Sequence, residues 1–258
     1  MPATSTHDAA RARLGPGARD TDTGLHVMTR GAGTPVVFLH GLASCHYTWR
    51  HAAHAVAAHG FKAVVVDLPG HGFSSDPSRD EANLAGTLAA LRRVLGNMGI
   101  GKAHFVGHSM GGAIAEAYLR AYPGDVGRLV LVASSDLNIG IEVDDTVARN
   151  ILLFSYHHKK NITREWLSLL EQFKHRAPCA EIGHPERPVT GEPLDTPCMI
   201  AWGAEDLVLK HGTERAAVIA RRFRDHQIRV FEQAGHACHE DQADAFNAAL
   251  VSFLAEST

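Results

Sequence analysis

Short apolar runs alternate with helical patterns along most of the chain. Six runs rich in β-branched or other apolar residues predict buried strands, at 35–41, 62–70, 103–109, 128–134, 197–203 and 227–235. Two shorter strands are expected near 18–20 and 25–29. Apolar residues at helical spacing predict helices at 51–60, 81–95, 111–122, 212–223 and 241–254. This alternation predicts an α/β fold: a mostly parallel, doubly wound sheet of about eight strands flanked by helices.

The alternation stops between residues 136 and 196, where no strand pattern is found. Two helices with an apolar stripe are expected there, over 144–157 and 163–175, followed by a proline-punctuated loop. We therefore predict a helical cap at 136–196, inserted into a core formed by 17–135 and 197–258. Residues 1–16 carry no apolar period and are expected to form a flexible tail.

Composition narrows the possible partners. A net charge of -3 gives the chain little with which to neutralise phosphates, so we expect no nucleic-acid partner. The chain has 18 histidines, but this number does not by itself indicate a metal, and no metal site is predicted. The four cysteines are widely spaced, the N-terminus lacks an apolar signal core, and no run is long enough to span a membrane. These features predict a cytoplasmic protein with free thiols and no membrane partner.

The motif with the clearest chemistry is GHSMGG at 107–112, between a predicted strand and a predicted helix. A serine on such a turn must stand clear of its neighbours, which requires strained backbone angles and small flanking residues. The start of the following helix also directs amide groups towards developing negative charge. The motif in this setting predicts that Ser109 is a nucleophile.

A serine nucleophile needs a base, and the base needs an orienting carboxylate. Asp206 and His236 each follow a later predicted strand, and the ends of parallel strands meet at one sheet edge. We therefore predict the triad Ser109, Asp206 and His236. Glu205 and Asp136 remain alternatives for the acid. His239 is the alternative base, although we expect it to be structural because it lies further into the following helix.

Backbone amides are expected to complete this site. The amide of Met110, directly after the nucleophile, is one predicted oxyanion donor, and the amide of Leu42, after the 35–41 strand, is the second. Candidate substrate-lining residues near the oxyanion loop and in the cap are aromatic or histidine: Tyr47, Trp49, Phe154, Tyr156, His157 and Trp166. Ordinary core packing is an equally open interpretation of these residues.

Five segments taken together resemble the α/β-hydrolase superfamily over nearly the whole chain outside the tail and cap. They are HGLASCHYTW, DLPGHGFS, VGHSMGG, WGAEDLVL and AGHACHED. The resemblance implies the same nucleophile, acid and base, and it implies a scaffold role for Asp67, His71 and Ser74. A serine at 109 disfavours the aspartate-dependent haloalkane dehalogenases and epoxide hydrolases. The HGLA loop differs from the HGGG loop of hormone-sensitive lipases and the HGGGPG loop of carbon–carbon hydrolases.

The resemblance that remains is to serine esterases, lactonases, thioesterases and cofactor-free haloperoxidase-like enzymes. We expect a hydrolase that acts on a small-molecule acyl substrate through an acyl-enzyme and requires no cofactor. A lyase or cyclase, a perhydrolase and a ligand receptor with a vestigial site stay open, because fold analogy cannot choose among them.

Overall fold

The computed structural model describes residues 17–134, 150–151, 153–173 and 192–256. It contains an eight-stranded sheet, which confirms the predicted α/β architecture. The strands are β1 (Gly17–Arg19), β2 (His26–Gly31), β3 (Thr34–Leu39), β4 (Phe61–Val66), β5 (Ala103–His108), β6 (Val126–Val132), β7 (Cys198–Gly203) and β8 (His226–Phe231).

The strand order is β1-β2-β4-β3-β5-β6-β7-β8. The pairs β1–β2 and β2–β4 are antiparallel, and every pair from β4 to β8 is parallel. The parallel strands β3, β5, β6 and β7 are almost entirely buried, as expected for a sheet covered on both faces. Their carboxyl ends therefore lie along one edge, where the chain leaves each strand in a loop.

Helices cover both faces of the sheet. They are α1 (Arg50–Ala58), α2 (Leu84–Asn97), α3 (Met110–Ala121), α4 (Arg164–Phe173), α5 (Gly212–Ala220), α6 (Cys238–Asp241) and α7 (Ala243–Ala255), and residues 150–151 and 153–155 are also helical. One apolar cluster joins α2, α3 and α5 to the sheet. A second joins α1 and α7 to the other face. Each fully buried leucine, isoleucine or phenylalanine in these layers contributes about 1.5–3 kcal/mol.

Several element ends differ from the sequence prediction for local reasons. Helix α2 begins at Leu84 instead of 81 because the Asn83 side chain accepts a hydrogen bond from the Gly86 amide at 2.9 Å. Strand β8 ends at Phe231 instead of 235, and Gln233, with φ +55°, turns the chain back. The predicted helix at 241–254 is preceded by the separate short helix α6, because Gln242 adopts a non-helical conformation.

The predicted tail at 1–16 lies outside the described residues, as does most of the predicted cap. The described part of the cap includes α4, which covers most of the helix predicted at 163–175. Of the helix predicted at 144–157, residues 150–151 and 153–155 are helical in the described structure. Within the described residues, no helix has the length and apolar character required to cross a bilayer.

Candidate active site

The turn between β5 and α3 places Ser109 in a strained conformation. Ser109 has φ 52° and ψ −119°, whereas the strand before it and the helix after it are regular. Its amide donates to the Val132 carbonyl at 2.9 Å, which ties the turn to the end of β6. A non-glycine residue at positive φ costs free energy that the surrounding packing must offset. The protein retains this strain at a residue whose side chain reaches the carboxyl edge of the sheet.

Tight packing explains the glycines of the GHSMGG motif. A Cβ atom on Gly107 would lie 2.3 Å from the Gly111 carbonyl oxygen. A Cβ atom on Gly111 would lie 2.3 Å from the Leu39 carbonyl oxygen at the end of β3. Gly41, in the loop after β3, also packs against the turn, since a Cβ atom added to it would lie 3.1 Å from the Ser109 Cβ. The glycines therefore let the serine turn and the loop after β3 approach each other closely.

Asp206 and His236 are joined by a hydrogen bond at the same edge. The His236 Nδ1 donates to Asp206 Oδ2 at 2.9 Å. Asp206 also accepts from the Trp202 indole at 3.0 Å and from the amides of Val208 and Leu209 at 2.8 and 2.9 Å. Four N–H donors suit a carboxylate anion. This carboxylate fixes the His236 tautomer and leaves Nε2 as the acceptor nitrogen.

Two further buried histidines, His108 and His239, lie near His236. The ring centroid of His108 lies 4.7 Å from that of His236, and the His108 Nε2 donates to the His236 carbonyl oxygen at 3.1 Å. Burial, together with the nearby His236 and His239, holds the pKa of His108 well below its usual range. Burial and the nearby Arg50 have the same effect on the pKa of His239. Both side chains are therefore neutral near neutral pH.

Ser109 and His236 line one cavity of about 170 Å³. Other lining residues come from the segment after β3, the end of β5, residues 151–166 and the loops after β7 and β8: Gly41, Leu42, Ala43, Ser44, Thr48, His108, Ile151, Ser155, Tyr156, Trp166, Val208, Leu209 and Ala237. None of these described lining residues is a lysine, arginine, aspartate or glutamate. The cavity therefore suits an uncharged group placed beside the serine.

The loop after β3 and the start of α3 approach Ser109 from two sides. Leu42 lines the cavity, and Met110 is the first residue of α3. The first amides of a helix have no intrahelical partner, and they carry the positive end of its dipole. The amides of Gly112 and Ala113 donate to the Ser109 carbonyl at 3.0 and 3.2 Å. Neither bond uses the Met110 amide, which lies at the turn next to Ser109.

A second His–Asp cluster lies away from the cavity. The side chains of His26, His46 and Asp67 are buried, and their potential metal-ligand atoms lie within 4.8 Å of one another. Asp67 accepts from the Nδ1 atoms of both histidines and from the backbone amides of His46 and Phe73. A histidine bound to a metal through one ring nitrogen usually donates a hydrogen bond from the other. The buried His46 Nε2 has no such partner in the described part of the chain. This donor set fits a hydrogen-bonded scaffold better than a metal centre.

The chain matches a known family. Residues 34–155 match the family described as the α/β hydrolase fold. A meta-cleavage product hydrolase from Pseudomonas fluorescens IP01 superposes with a TM-score of 0.77 at 22% identity, covering 94% of this chain and 98% of that chain. The chain has the α/β-hydrolase fold.

Curated proteins that this chain resembles carry different activities. It is 27% identical over 268 residues to the 2-hydroxy-6-oxo-6-phenylhexa-2,4-dienoate hydrolase of Comamonas testosteroni, covering 89% of this chain and 91% of that protein. It is 29% identical over 248 residues to the dihydrolipoyllysine-residue acetyltransferase component of the acetoin cleaving system of Pseudomonas putida. That match covers 86% of this chain, and the chain spans only 64% of that relative's length.

The structure changes part of the predicted substrate-lining set. Tyr156 and Trp166 line the cavity, but four other candidates do not. Trp49 is fully buried against Phe38 and His239, so it belongs to the core beneath the site. Tyr47 is also fully buried and donates to Glu165 at 2.6 Å.

The remaining two candidates face away from the cavity. Phe154 is 51% exposed, and the His157 side chain is also exposed. The direction of each side chain depends on how residues 150–173 pack on the rest of the protein, which the spacing of apolar residues does not reveal. Of the rival acid positions, Glu205 accepts from the Ala234 amide and is not paired with His236, and Asp136 lies outside the described residues.

Sequence reasoning missed residues that support the site from outside the motif positions. Thr48 lines the cavity and accepts from His239 Nε2 at 2.8 Å, while its hydroxyl donates to Glu240 at 2.7 Å. Asp241 accepts from Gly235, next to His236. The only available signal was that Glu240 and Asp241 end the AGHACHED segment, where two adjacent acids follow a predicted base.

Proposed function

We propose that the protein is a serine hydrolase that cleaves a carboxylic ester, or a related lactone or thioester, through an acyl-enzyme. One observation carries the proposal: strained Ser109 shares a cavity with His236, and the His236 Nδ1 is bonded to buried Asp206. A binding protein has no need to store backbone strain at a serine beside a hydrogen-bonded His–Asp pair. An activated nucleophile needs all three groups.

The chemistry follows from the roles of these groups. His236 Nε2 takes the Ser109 proton while Oγ attacks the substrate carbonyl. The amides of Leu42 and Met110 stabilise the oxyanion, and each such donor contributes about 10²- to 10³-fold in rate. His236 then protonates the leaving group, which departs and leaves an acyl-enzyme. In the second half of the reaction His236 takes a proton from water, the water oxygen attacks the acyl carbon, and the bond to Ser109 Oγ breaks as His236 returns the proton to Ser109 and the acid leaves. Asp206 holds the imidazole orientation and stabilises its charged form. No step requires a cofactor.

The cavity supports a small, uncharged acyl group as the substrate part that enters it. A dry apolar cavity of about 150 Å³ accommodates a benzene ring, and this cavity has about the same volume. Leu42, Ile151, Val208 and Leu209 contribute apolar surface near Ser109 and His236. A charged acyl group would be desolvated without a partner among the described lining residues. The buried free thiols of Cys45, Cys198 and Cys238 are consistent with a cytoplasmic location.

A carbon–carbon hydrolase is the second candidate. It is supported by the similarity to the Comamonas testosteroni dienoate hydrolase, which covers most of both chains. The HGLA loop and the absence of a cation in the described lining favour the ester substrate, because a dienoate carries a carboxylate. A lyase or cyclase and a perhydrolase could use the same serine without releasing a simple hydrolysis product.

Labelling with a fluorophosphonate, followed by mass spectrometry of the intact protein and its peptides, tests the proposal. We expect one adduct on Ser109 in the wild type and no adduct in Ser109→Ala. Ser44→Ala is the matched control because Ser44 lines the same cavity, and it should label like the wild type. A folded wild-type protein that resists the probe would contradict the proposal, as would equal labelling of Ser109→Ala.

Product analysis then separates the candidate reactions. Wild-type enzyme that has not been exposed to the probe is assayed with small uncharged esters, lactones and thioesters, with a 2-hydroxy-6-oxo-dienoate, and with an ester plus hydrogen peroxide. Hydrolysis of the uncharged esters with the highest kcat/KM supports the main proposal. A higher kcat/KM for the dienoate would favour the carbon–carbon hydrolase instead.

A further inference from the structure

The backbone of three consecutive residues, Gly235, His236 and Ala237, is held by hydrogen bonds. The Gly235 amide donates to Asp241 Oδ2 at 2.9 Å. The His236 carbonyl accepts from the His108 ring at 3.1 Å. The Ala237 amide donates to the Ser155 carbonyl at 2.8 Å. His236 is therefore fixed through its backbone as well as through the bond to Asp206.

Asp241 contributes more to this support than a single bond. Its Oδ2 accepts from the amides of Gly235 and His157, at 2.9 and 2.7 Å. Its Oδ1 accepts from the His158 amide at 3.1 Å and from the Asn161 side chain at 2.8 Å. Each oxygen thus receives two N–H donors. Only a carboxylate has enough acceptor capacity on both oxygens to satisfy this arrangement.

These donors come from two separate segments. Gly235 belongs to the loop that carries His236, while the other donors belong to residues 155–161, which we name the cap base. The two segments touch directly, because a Cβ atom on Gly235 would lie 2.7 Å from the Ser155 carbonyl oxygen and 3.0 Å from the His157 amide nitrogen. A single carboxylate oxygen therefore joins the cap base to the residue before His236.

The neighbouring Glu240 strengthens this connection on the cavity side. Its carboxylate accepts from the hydroxyls of Tyr156 and Thr48, at 2.5 and 2.7 Å, and forms a buried ion pair with Arg50. Tyr156 also accepts from the Trp166 indole at 2.7 Å. Tyr156, Thr48 and Trp166 all line the cavity. The two adjacent acids after His236 thus hold the cavity wall and the cap base to the same short helix.

We propose that Asp241 is a positioning residue for His236, and that the cap base is a fixed part of the histidine's support. This inference rests on the proposed role of His236 as the base. Asp241 touches neither Ser109 nor the cavity in the described structure, so it acts through the Gly235 amide and the cap base. A displacement of a reacting group by about 1 Å can cost about 100-fold in rate.

The isosteric variant Asp241→Asn gives the sharpest test. An asparagine has one carbonyl oxygen, so its NH₂ group must face two of the four N–H donors. Asp241→Glu is the conservative variant, because it retains both acceptor oxygens. Asp244→Asn is the matched control, because it removes the same charge from an exposed residue three positions further along the chain.

We expect Asp241→Asn to lower kcat about 10- to 100-fold, with KM changed by no more than a few-fold. Labelling of Ser109 should slow in proportion. Asp241→Glu should recover part of the loss, and Asp244→Asn should behave like the wild type. Hydrogen exchange at the Gly235 and His157 amides should accelerate in Asp241→Asn. If that variant does not fold, Asn161→Ala removes one of the four donors to Asp241 and should produce a smaller change of the same kind.

A kcat within twofold of the wild type in folded Asp241→Asn would overturn the inference. So would faster exchange in the cap base without a change in rate, because the acid would then be only structural. The exchange measurement does not depend on the chemistry of Ser109. If the wild type is not labelled at Ser109 but Asp241→Asn still loosens the Gly235 and His157 amides, the proposed function fails while the linkage between the two segments stands.

Discussion

Two buried aspartates in this protein have similar hydrogen-bond partners, but we expect them to have different roles. Asp67 directly follows β4, and Asp206 follows β7 by three residues. Each accepts from a histidine Nδ1, at 2.9 Å in the pairs His46–Asp67 and His236–Asp206, and each accepts from backbone amides. A His–Asp bond is therefore not by itself a sign of catalysis.

The difference lies in what the histidine faces. His236 lines the cavity with Ser109. His26 and His46 instead pack their rings against Phe73, with centroids 5.2 and 5.6 Å apart. In both settings the carboxylate orients the ring, but of these histidines only His236 shares a cavity with a strained serine in the described structure. The same local chemistry serves folding at one strand end, and we propose that it serves catalysis at the other.

The largest contrast should come from Asp206→Asn. Loss of the anion allows the wrong His236 tautomer, so kcat should fall by about 10⁴-fold. The loss should be measured per folded molecule, with the folded fraction taken from circular dichroism of the same sample. A rate loss of less than tenfold would mean that Asp206 does not orient the base.

The equivalent change at the other aspartate should affect stability instead. Asp67→Asn turns an NH₂ group towards N–H donors in a fully buried site, which should cost about 3 kcal/mol or more in the free energy of unfolding. The kcat of the folded fraction should stay within a few-fold of the wild type. Urea unfolding and active-site titration check the two parts separately. A specific loss of kcat at unchanged stability would remove the distinction drawn between the two aspartates.

Acid should produce a smaller, graded effect that depends on the buried histidines. Burial, with the neighbouring His71, lowers the pKa of His40 to about 3, and the pKa values of His108 and His239 are also depressed. Below pH about 6.5 the unfolded chain binds protons that the folded protein refuses, so stability falls as the pH falls. Each such histidine should contribute a slope of up to about 1.4 kcal/mol per pH unit.

Urea unfolding between pH 8 and pH 5 measures this slope. Above pH 7 these three histidines should add almost no pH dependence to the free energy of unfolding. Below pH 6.5 the free energy of unfolding should decline. His108→Asn should flatten the decline by about one proton, whereas replacement of the exposed His54 by glutamine should leave it unchanged. A flat stability profile down to pH 5 would show that the buried histidines accept protons in the folded protein.

The fold could be predicted because it depends on patterns that are local in sequence. The apolar runs and the glycines of GHSMGG report burial and close packing directly, and the strand ends indicated where Ser109, Asp206 and His236 would lie. The roles of Trp49 and Phe154 could not be predicted in this way. An aromatic residue at helical spacing looks the same whether it packs on Phe38, as Trp49 does, or faces solvent, as Phe154 does.

The contacts of Asp241 were also beyond prediction, for a related reason. They join residues about 80 positions apart, and they involve backbone amides whose positions depend on how residues 155–161 pack against the loop after β8. No side-chain pattern records such a contact. Local periodicity therefore predicts the sheet and its helices, whereas the support of the site arises from long-range closure.

That closure has a consequence for how the molecule is made. The turn at Ser109 is built from β5, α3 and β6, all of which precede residue 133, whereas Asp206, His236 and Asp241 all follow β7. A growing chain can form the strained serine turn well before any base exists to activate it. Contacts so distant in sequence are also slow to form. The nascent protein should therefore stay chemically silent until its C-terminal segment docks, and activity should emerge late in refolding, after most of the helical signal has returned.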